Sequence, residues 1–238
     1  SEFKDLTVEK KRFIVAFSSF IRKLEAPKEV DDTAADYDTT FHLGDSHCLT
    51  FAHHKVQIKG RRTIIKPKIV FGAKAWHFAN KQSNQFKSIL EHHLNQIPNS
   101  SNVLLSFGEI DCRRDEGLIT KIIENPSELL PIISSTVDGY VDFVHTKAIE
   151  KKFNFFFFGV PAPNHASEIN VSAKHINYEL QKRIVQCFNK RLKNRAEYWG
   201  SCYIDLYKMT YDMAGKLHAD DYHLLPKTLK LVEKQLNT

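Results

Sequence analysis

The sequence predicts an α/β domain built on a parallel sheet with helices on both faces. Short apolar runs alternate with longer segments whose apolar residues recur at three- and four-residue spacing. One run, Phe153 to Val160, is apolar at nearly every position, as a central parallel strand covered on both sides has to be. Several runs break at glycine or proline into polar residues, the way strands of an open α/β sheet end in ligand-bearing loops. At 238 residues the chain suits one large domain, and no Pro/Gly/Ser-rich linker divides it. We read residues 1–36 as an N-terminal amphipathic helix and loop, and 37–238 as the α/β domain.

The chain begins Ser1-Glu2-Phe3 without methionine, which reads as a cloning scar or as a fragment excised from a longer protein, and on that reading fusion to further domains is expected. From Val8 to Glu25 the residues Phe13, Ile14, Phe17, Phe20, Ile21 and Leu24 form one apolar stripe, a helix for packing or docking. Lys10 to Arg12 mimic the start of a signal peptide, but Arg22 and Lys23 follow at once and no small-residue cleavage site is evident. Glu25 to Asp38 is an acidic loop, and Tyr37 to Leu43 the first strand. Phe51 to Arg62 is basic, and Thr63 to Phe71 a strand interrupted at Pro67. Phe86 to Ile97 is a helix stopped by Pro98, leading to a strand at Val103 to Phe107. Helical periods follow at Leu118 to Glu124 and from Ser127 to Lys152, with Pro126 and Pro131 marking starts. After Phe153 to Val160, the segment Pro161 to His165 is a loop at the sheet edge that carries Ser46. Val171 to Trp199 is a long basic amphipathic helix, Ser201 to Leu206 a last strand, and Leu224 to Leu236 a closing helix.

Composition excludes some classes. No apolar run approaches the roughly 20 residues of a membrane helix, so no membrane span is expected. The excess of 34 Lys+Arg over 28 Asp+Glu is dispersed and accompanied by no nucleic-acid motif, so it reads as a solvated basic surface and a nucleic-acid partner is not expected. Cys48, Cys112, Cys187 and Cys202 are far apart and form no Cys-x-x-Cys, which fits reduced thiols in a cytoplasmic protein. The pairs His53-His54 and His92-His93 are adjacent rather than at helical ligand spacing, so no metal site is assigned.

Three stretches carry the chemistry. Phe41-His42-Leu43-Gly44-Asp45-Ser46-His47-Cys48 delivers a serine into a turn past the end of a strand. Val103 to Phe107 breaks into Gly108-Glu109-Ile110-Asp111-Cys112-Arg113, and Asp220-Asp221-Tyr222-His223 stands near the C-terminus. A serine hydroxyl is a weak nucleophile until an imidazole takes its proton, and the imidazole needs a carboxylate to fix its tautomer. Serine early, Gly-x-x-Asp in the middle and Asp-x-x-His late resemble the SGNH (GDSL) hydrolase superfamily, over residues 40 to 226 or so.

The resemblance implies a three-layer, flavodoxin-like order of about five parallel strands. It also implies Ser46 as nucleophile, His223 as general base and Asp220 as its orienting acid. The oxyanion hole would come from the N–H groups of Ser46 and Gly72 with the Gly108 loop, although Ala79-Asn80 could be aligned in place of Gly72. Asp45, His47, Glu109, Asp111 and Arg113 flank these loops and are expected to bind substrate. The family asparagine that donates into the oxyanion hole appears here as Ile110. Arg113 is the replacement donor to look for, a salt bridge with Glu109 or Asp115 being the alternative. The implied function is a serine acyl-ester hydrolase or O-acyltransferase acting on small acyl groups, on carbohydrate, with no cofactor and no metal. The alternative is a catalytically weak domain that binds a glycan or protein partner.

Overall fold

The structure is a computed structural model describing residues 7–24, 37–114, 117–164, 178–213 and 215–238. The acidic loop expected from Glu25, Asp115, His165 and the first turns of the helix expected from Val171 lie outside these residues, in whole or in large part.

A six-stranded sheet forms the centre, in the order β2-β3-β1-β4-β5-β6. The strands are β1 (Asp38–Gly44), β2 (Lys55–Ile58), β3 (Arg61–Ile69), β4 (Asn102–Ser106), β5 (Asn154–Phe158) and β6 (Cys202–Ile204). β3, β1, β4, β5 and β6 are mutually parallel, the flavodoxin-like order, and all five coincide with strands expected from the sequence. The correction is β2, an antiparallel sixth strand at the edge. It closes a hairpin through Lys59 and Gly60, both at positive φ, where a two-residue turn matches the strand twist. β3 runs on through Pro67. The partners on its outer side, β2 and then His53 and His54, reach only as far as Ile65, so proline sits past them where no ladder donor is needed.

Strand alternation builds two cores. Val103, Leu105, Phe155 and Phe157 pack on one face, under α3 (Gln85–Gln96), α5 (Leu129–Lys147) and α6 (Tyr178–Tyr198). Leu104, Phe156 and Phe158 pack on the other, under α8 (Leu229–Leu236). The Phe155 to Phe158 run is thus divided two and two, which is why it is apolar at every position. α8 begins at Leu229, after a 3-10 turn at Pro226–Thr228, not beside His223 as its period suggested.

Two features position the site. A short helix, α2 (Ala75–Ala79), follows β3, and its first N–H groups, of Ala75 and Trp76, donate to the Asp111 carboxylate at 2.7 and 3.0 Å. α1 (Val8–Lys23) lies against the loop bearing His223: the fully buried Phe20 faces inward and Lys23 Nζ donates to the Ala219 carbonyl. The apolar stripe expected on α1 is only partly covered, since Ile14 and Ile21 are more than a third exposed.

Candidate active site

β1 ends at Gly44, where a Cβ would run into Ser106 Oγ at the end of β4. The chain then turns, and Asp45 caps a single 3-10 turn, Ser46–Leu49, by accepting the His47 backbone N–H at 2.9 Å. This leaves the Ser46 side chain at the mouth of a cleft past the carboxyl ends of the strands.

Ser46 Oγ lies 2.7 Å from His223 Nε2, and His223 Nδ1 lies 2.8 Å from Asp220 Oδ2. The other Asp220 oxygen accepts the backbone N–H groups of Tyr222 at 2.9 Å and His223 at 2.7 Å. One aspartate thereby folds its own turn and holds the imidazole. The turn is clamped at its base by an antiparallel bridge between His218 and Leu224, with Ala219 N–H donating to the His223 carbonyl at 2.7 Å. Asp221 lines the cleft and makes none of the His223 contacts.

Burial pushes the Asp220 carboxyl up, but the hydrogen bond to His223, that ring's charge and the two N–H donors outweigh it and hold the group well below the ordinary range. His223 is lowered from its ordinary value, chiefly by burial and further by the nearby His47 charge, against the pull of Asp220. It is therefore neutral at pH 7, the state a proton acceptor needs. Its ring is sandwiched: Phe20 stacks on one side at 3.8 Å between centroids and His47 on the other at 4.6 Å.

The structure redistributes the residues expected to bind substrate. Asp45 and Asp111 are fully buried, Asp45 under His47 and Asp111 at the start of α2, so neither faces the cleft. Burial pushes Asp111 up to about 6, although the Trp76 and Ala75 N–H groups favour its charge. His47 lies beneath His223, with Nδ1 2.7 Å from Asp45 Oδ1 and Nε2 3.1 Å from the Tyr222 carbonyl. Glu109 holds Arg113 through Nε at 2.8 Å and Nη2 at 2.7 Å, and Arg113 lies over the Tyr222 ring at 4.2 Å. The salt bridge with Glu109 is thus formed, partly buried rather than on the surface. Of the five residues, only Arg113 lines the cleft. Asp45, His47 and Glu109 also bring one donor atom each within 4.8 Å of one another. Both His47 ring nitrogens already face hydrogen-bond acceptors, so His47 has no lone pair to offer a metal and the three side chains read as an ion-pair chain.

The cleft has a volume of about 530 Å³ and is lined by Ser46, Gly72, Ile110, Arg113, His223 and, from α1, Phe17. Gly72, at φ +69, belongs to the same lining as Ser46. Gly108 is not among the described residues that line it. Its φ of +118 and the Phe188 ring lying where a Cβ would go explain the glycine by packing against α6. Asn80 ends α2 and is likewise absent from the lining. Ile110 forms part of the cleft wall. Cys48 and Cys112 are buried, and burial pushes both thiols far up, which suits core residues and not nucleophiles. Sequence reasoning missed Phe17, Phe20 and Tyr222. The α1 stripe carried two of them, but nothing in its period says what the stripe covers.

No family model matches the chain, and no curated protein matches it. Solved structures do. A candidate acylhydrolase from Bacteroides fragilis NCTC 9343 superposes with a TM-score of 0.52 at 14% identity, over 95% of this chain and 92% of its own. An acetyl xylan esterase gives 0.51 at 14% identity, over 84% and 98%. Phospholipase A1 from Streptomyces albidoflavus NA297 gives 0.50 at 15% identity, over 84% and 98%. At such identities the likeness is one of fold.

Proposed function

We propose that this chain, which has the SGNH-hydrolase fold, is a serine acyl-ester hydrolase or O-acyltransferase acting on small acyl groups carried by carbohydrate. The observation that carries the reading is the unbroken chain from Ser46 Oγ through His223 to Asp220, open to a cleft at the Ser46 end. Ser46 Oγ attacks the ester carbonyl carbon while its proton passes to His223 Nε2. The tetrahedral oxyanion collapses, and the leaving alkoxide takes that proton from His223. Water, or an acceptor hydroxyl, then attacks the acyl-enzyme with His223 again as base. Asp220 stays ionised throughout, holding the proton on Nδ1. Carbohydrate is the leading substrate because one neighbour of the same fold is an acetyl xylan esterase.

Ile110 favours a second reading, a catalytically weak domain that binds a glycan or a protein. Loss of one oxyanion donor costs about 10² to 10³ in rate, and the Arg113 Nε and Nη2 groups are engaged by Glu109. The test is turnover of p-nitrophenyl acetate and of acetylated xylo-oligosaccharide by the wild type, Ser46→Ala and Ile110→Asn. The enzyme reading expects slow wild-type turnover, none in Ser46→Ala, and a gain of up to about 10²-fold in Ile110→Asn. Wild-type turnover equal to Ser46→Ala, with no gain from Ile110→Asn, selects the binding reading.

A further inference from the structure

The ring beneath His223 has no role in a serine, histidine and aspartate mechanism, yet both of its nitrogens are engaged. His47 Nδ1 meets Asp45 Oδ1 at 2.7 Å, and Nε2 meets the Tyr222 carbonyl at 3.1 Å with Glu109 Oε2 at 3.8 Å. Asp45 Oδ1 also accepts the His47 backbone N–H. A carbonyl can only accept, and a carboxylate that already receives an N–H is an acceptor too. Both ring nitrogens must then carry hydrogen, and a ring with two N–H groups is an imidazolium. Burial works against that charge, but the attraction and hydrogen bond of Asp45, joined by Glu109, prevail and raise the group to about 9.

The groups facing this cation come from every element around it. Asp45 belongs to its own turn, Glu109 and Arg113 to the segment after β4, the Tyr222 carbonyl and His223 to the clamped turn, His218 to the base of that turn, and His42 to β1. Asp45 and Glu109 balance His47 and Arg113 in formal charge. The cation nearest the His223 ring is the one stacked on its face, 4.6 Å between centroids at 24°.

We propose that His47 is a positioning residue of the Ser46 and His223 pair, a permanent imidazolium that opposes a second positive charge on His223 and pins the Tyr222 carbonyl of the turn carrying it. The consequence is a base that stays unprotonated in mildly acid solution. The same charge makes the His223 imidazolium a better donor to the leaving alkoxide once it has formed. This rests on the catalytic reading of Ser46 and His223, but the ring charge can be measured without any activity.

The direct measurement is the ¹⁵N titration of both histidine rings in the full chain. We expect His47 to keep both ring nitrogens protonated through about pH 8, well above the usual range for histidine. In His47→Gln the His223 titration should move to higher pH. The acid limb of kcat/KM should move with it, so that activity near pH 5 falls about tenfold more than activity near pH 8. His47→Lys, which restores a cation, should bring the limb back towards the wild type. A wild-type His47 that titrates at or below about pH 6.5 overturns the proposal. An acid limb unmoved in a folded His47→Gln protein, with turnover lowered equally at every pH, overturns it too by leaving only a structural role. Absence of wild-type turnover above Ser46→Ala counts against the catalytic reading instead, and the ring titrations then decide the charge by themselves.

Discussion

Asp220 and Asp221 stand side by side, and only geometry separates them. Asp220 accepts His223 Nδ1–H and two backbone N–H groups, while Asp221 faces the cleft. Asp220→Asn keeps the turn's acceptor oxygen but presents the wrong tautomer partner, so kcat should fall by about 10⁴ under conditions where the variant is fully folded, with the thermal midpoint lowered at neutral pH by loss of the partly buried carboxylate's interactions. Asp221→Asn should stay within about tenfold of the wild type. The reverse ranking in a steady-state assay would move the orienting role by one residue. The serine, histidine and aspartate were legible because each lies within a short local motif. The stack of Phe20, His223 and His47 was not, because its members come from three segments that only the fold brings together.

At the scale of elements, the unexpected participant is α1. Its period identified a helix, and the structure makes that helix one wall of the cleft, with Phe17 edge-on to Phe71 at 5.2 Å and Phe20 closing the outer face of His223. Removing a buried phenylalanine ring costs about 3 to 5 kcal/mol in a core, and here much of that cost is the docking of one terminal helix. Phe20→Ala should therefore lower kcat/KM and speed proteolytic cleavage within α1 while the sheet stays folded. Unchanged turnover and unchanged cleavage would show that α1 does not support the site. β2 escaped the sequence reading because it is only four residues long in a basic stretch, although its buried Val56 and Ile58 alternate with Lys55 and Gln57. Lys59-Gly60 was a second local sign of a hairpin, a glycine turn that asks for positive φ at both positions. α2 and α7 (Leu206–Tyr211) span five and six residues, too short for an apolar period to stand out.

For the whole molecule, the five parallel strands were readable because each is a run of apolar residues ended by glycine, proline or a polar turn. What pattern could not give was the set of buried titratable groups on β1 and in the loops past the strand ends. His42 is fully buried beside Ser106, and burial lowers it to about 3, so it folds as the neutral ring. A depressed value means that its contribution is present above the ordinary 6.5 and is lost as pH falls towards 3. Asp45 and Asp220, both held low, lose their contributions in the acid range as well. His47 has the opposite sign: raised to about 9, it stabilises fully below 6.5 and fades as pH rises through 9. The thermal midpoint should thus be highest near neutrality and fall on both sides. His47→Gln should flatten the alkaline fall and, because His47 helps to hold Asp45, His42 and His223 low, soften part of the acid one as well. A midpoint that rises steadily from pH 5 to 9 would contradict these assignments.

The central claim is that Ser46 carries the acyl group, and it is tested most directly by mass spectrometry of the protein quenched in acid during turnover of p-nitrophenyl acetate. The account predicts one added acetyl group, located on the peptide containing Ser46, absent from Ser46→Ala, and accumulating in His223→Ala only far more slowly. An acetyl group on another residue, or an equal adduct in Ser46→Ala, would contradict it.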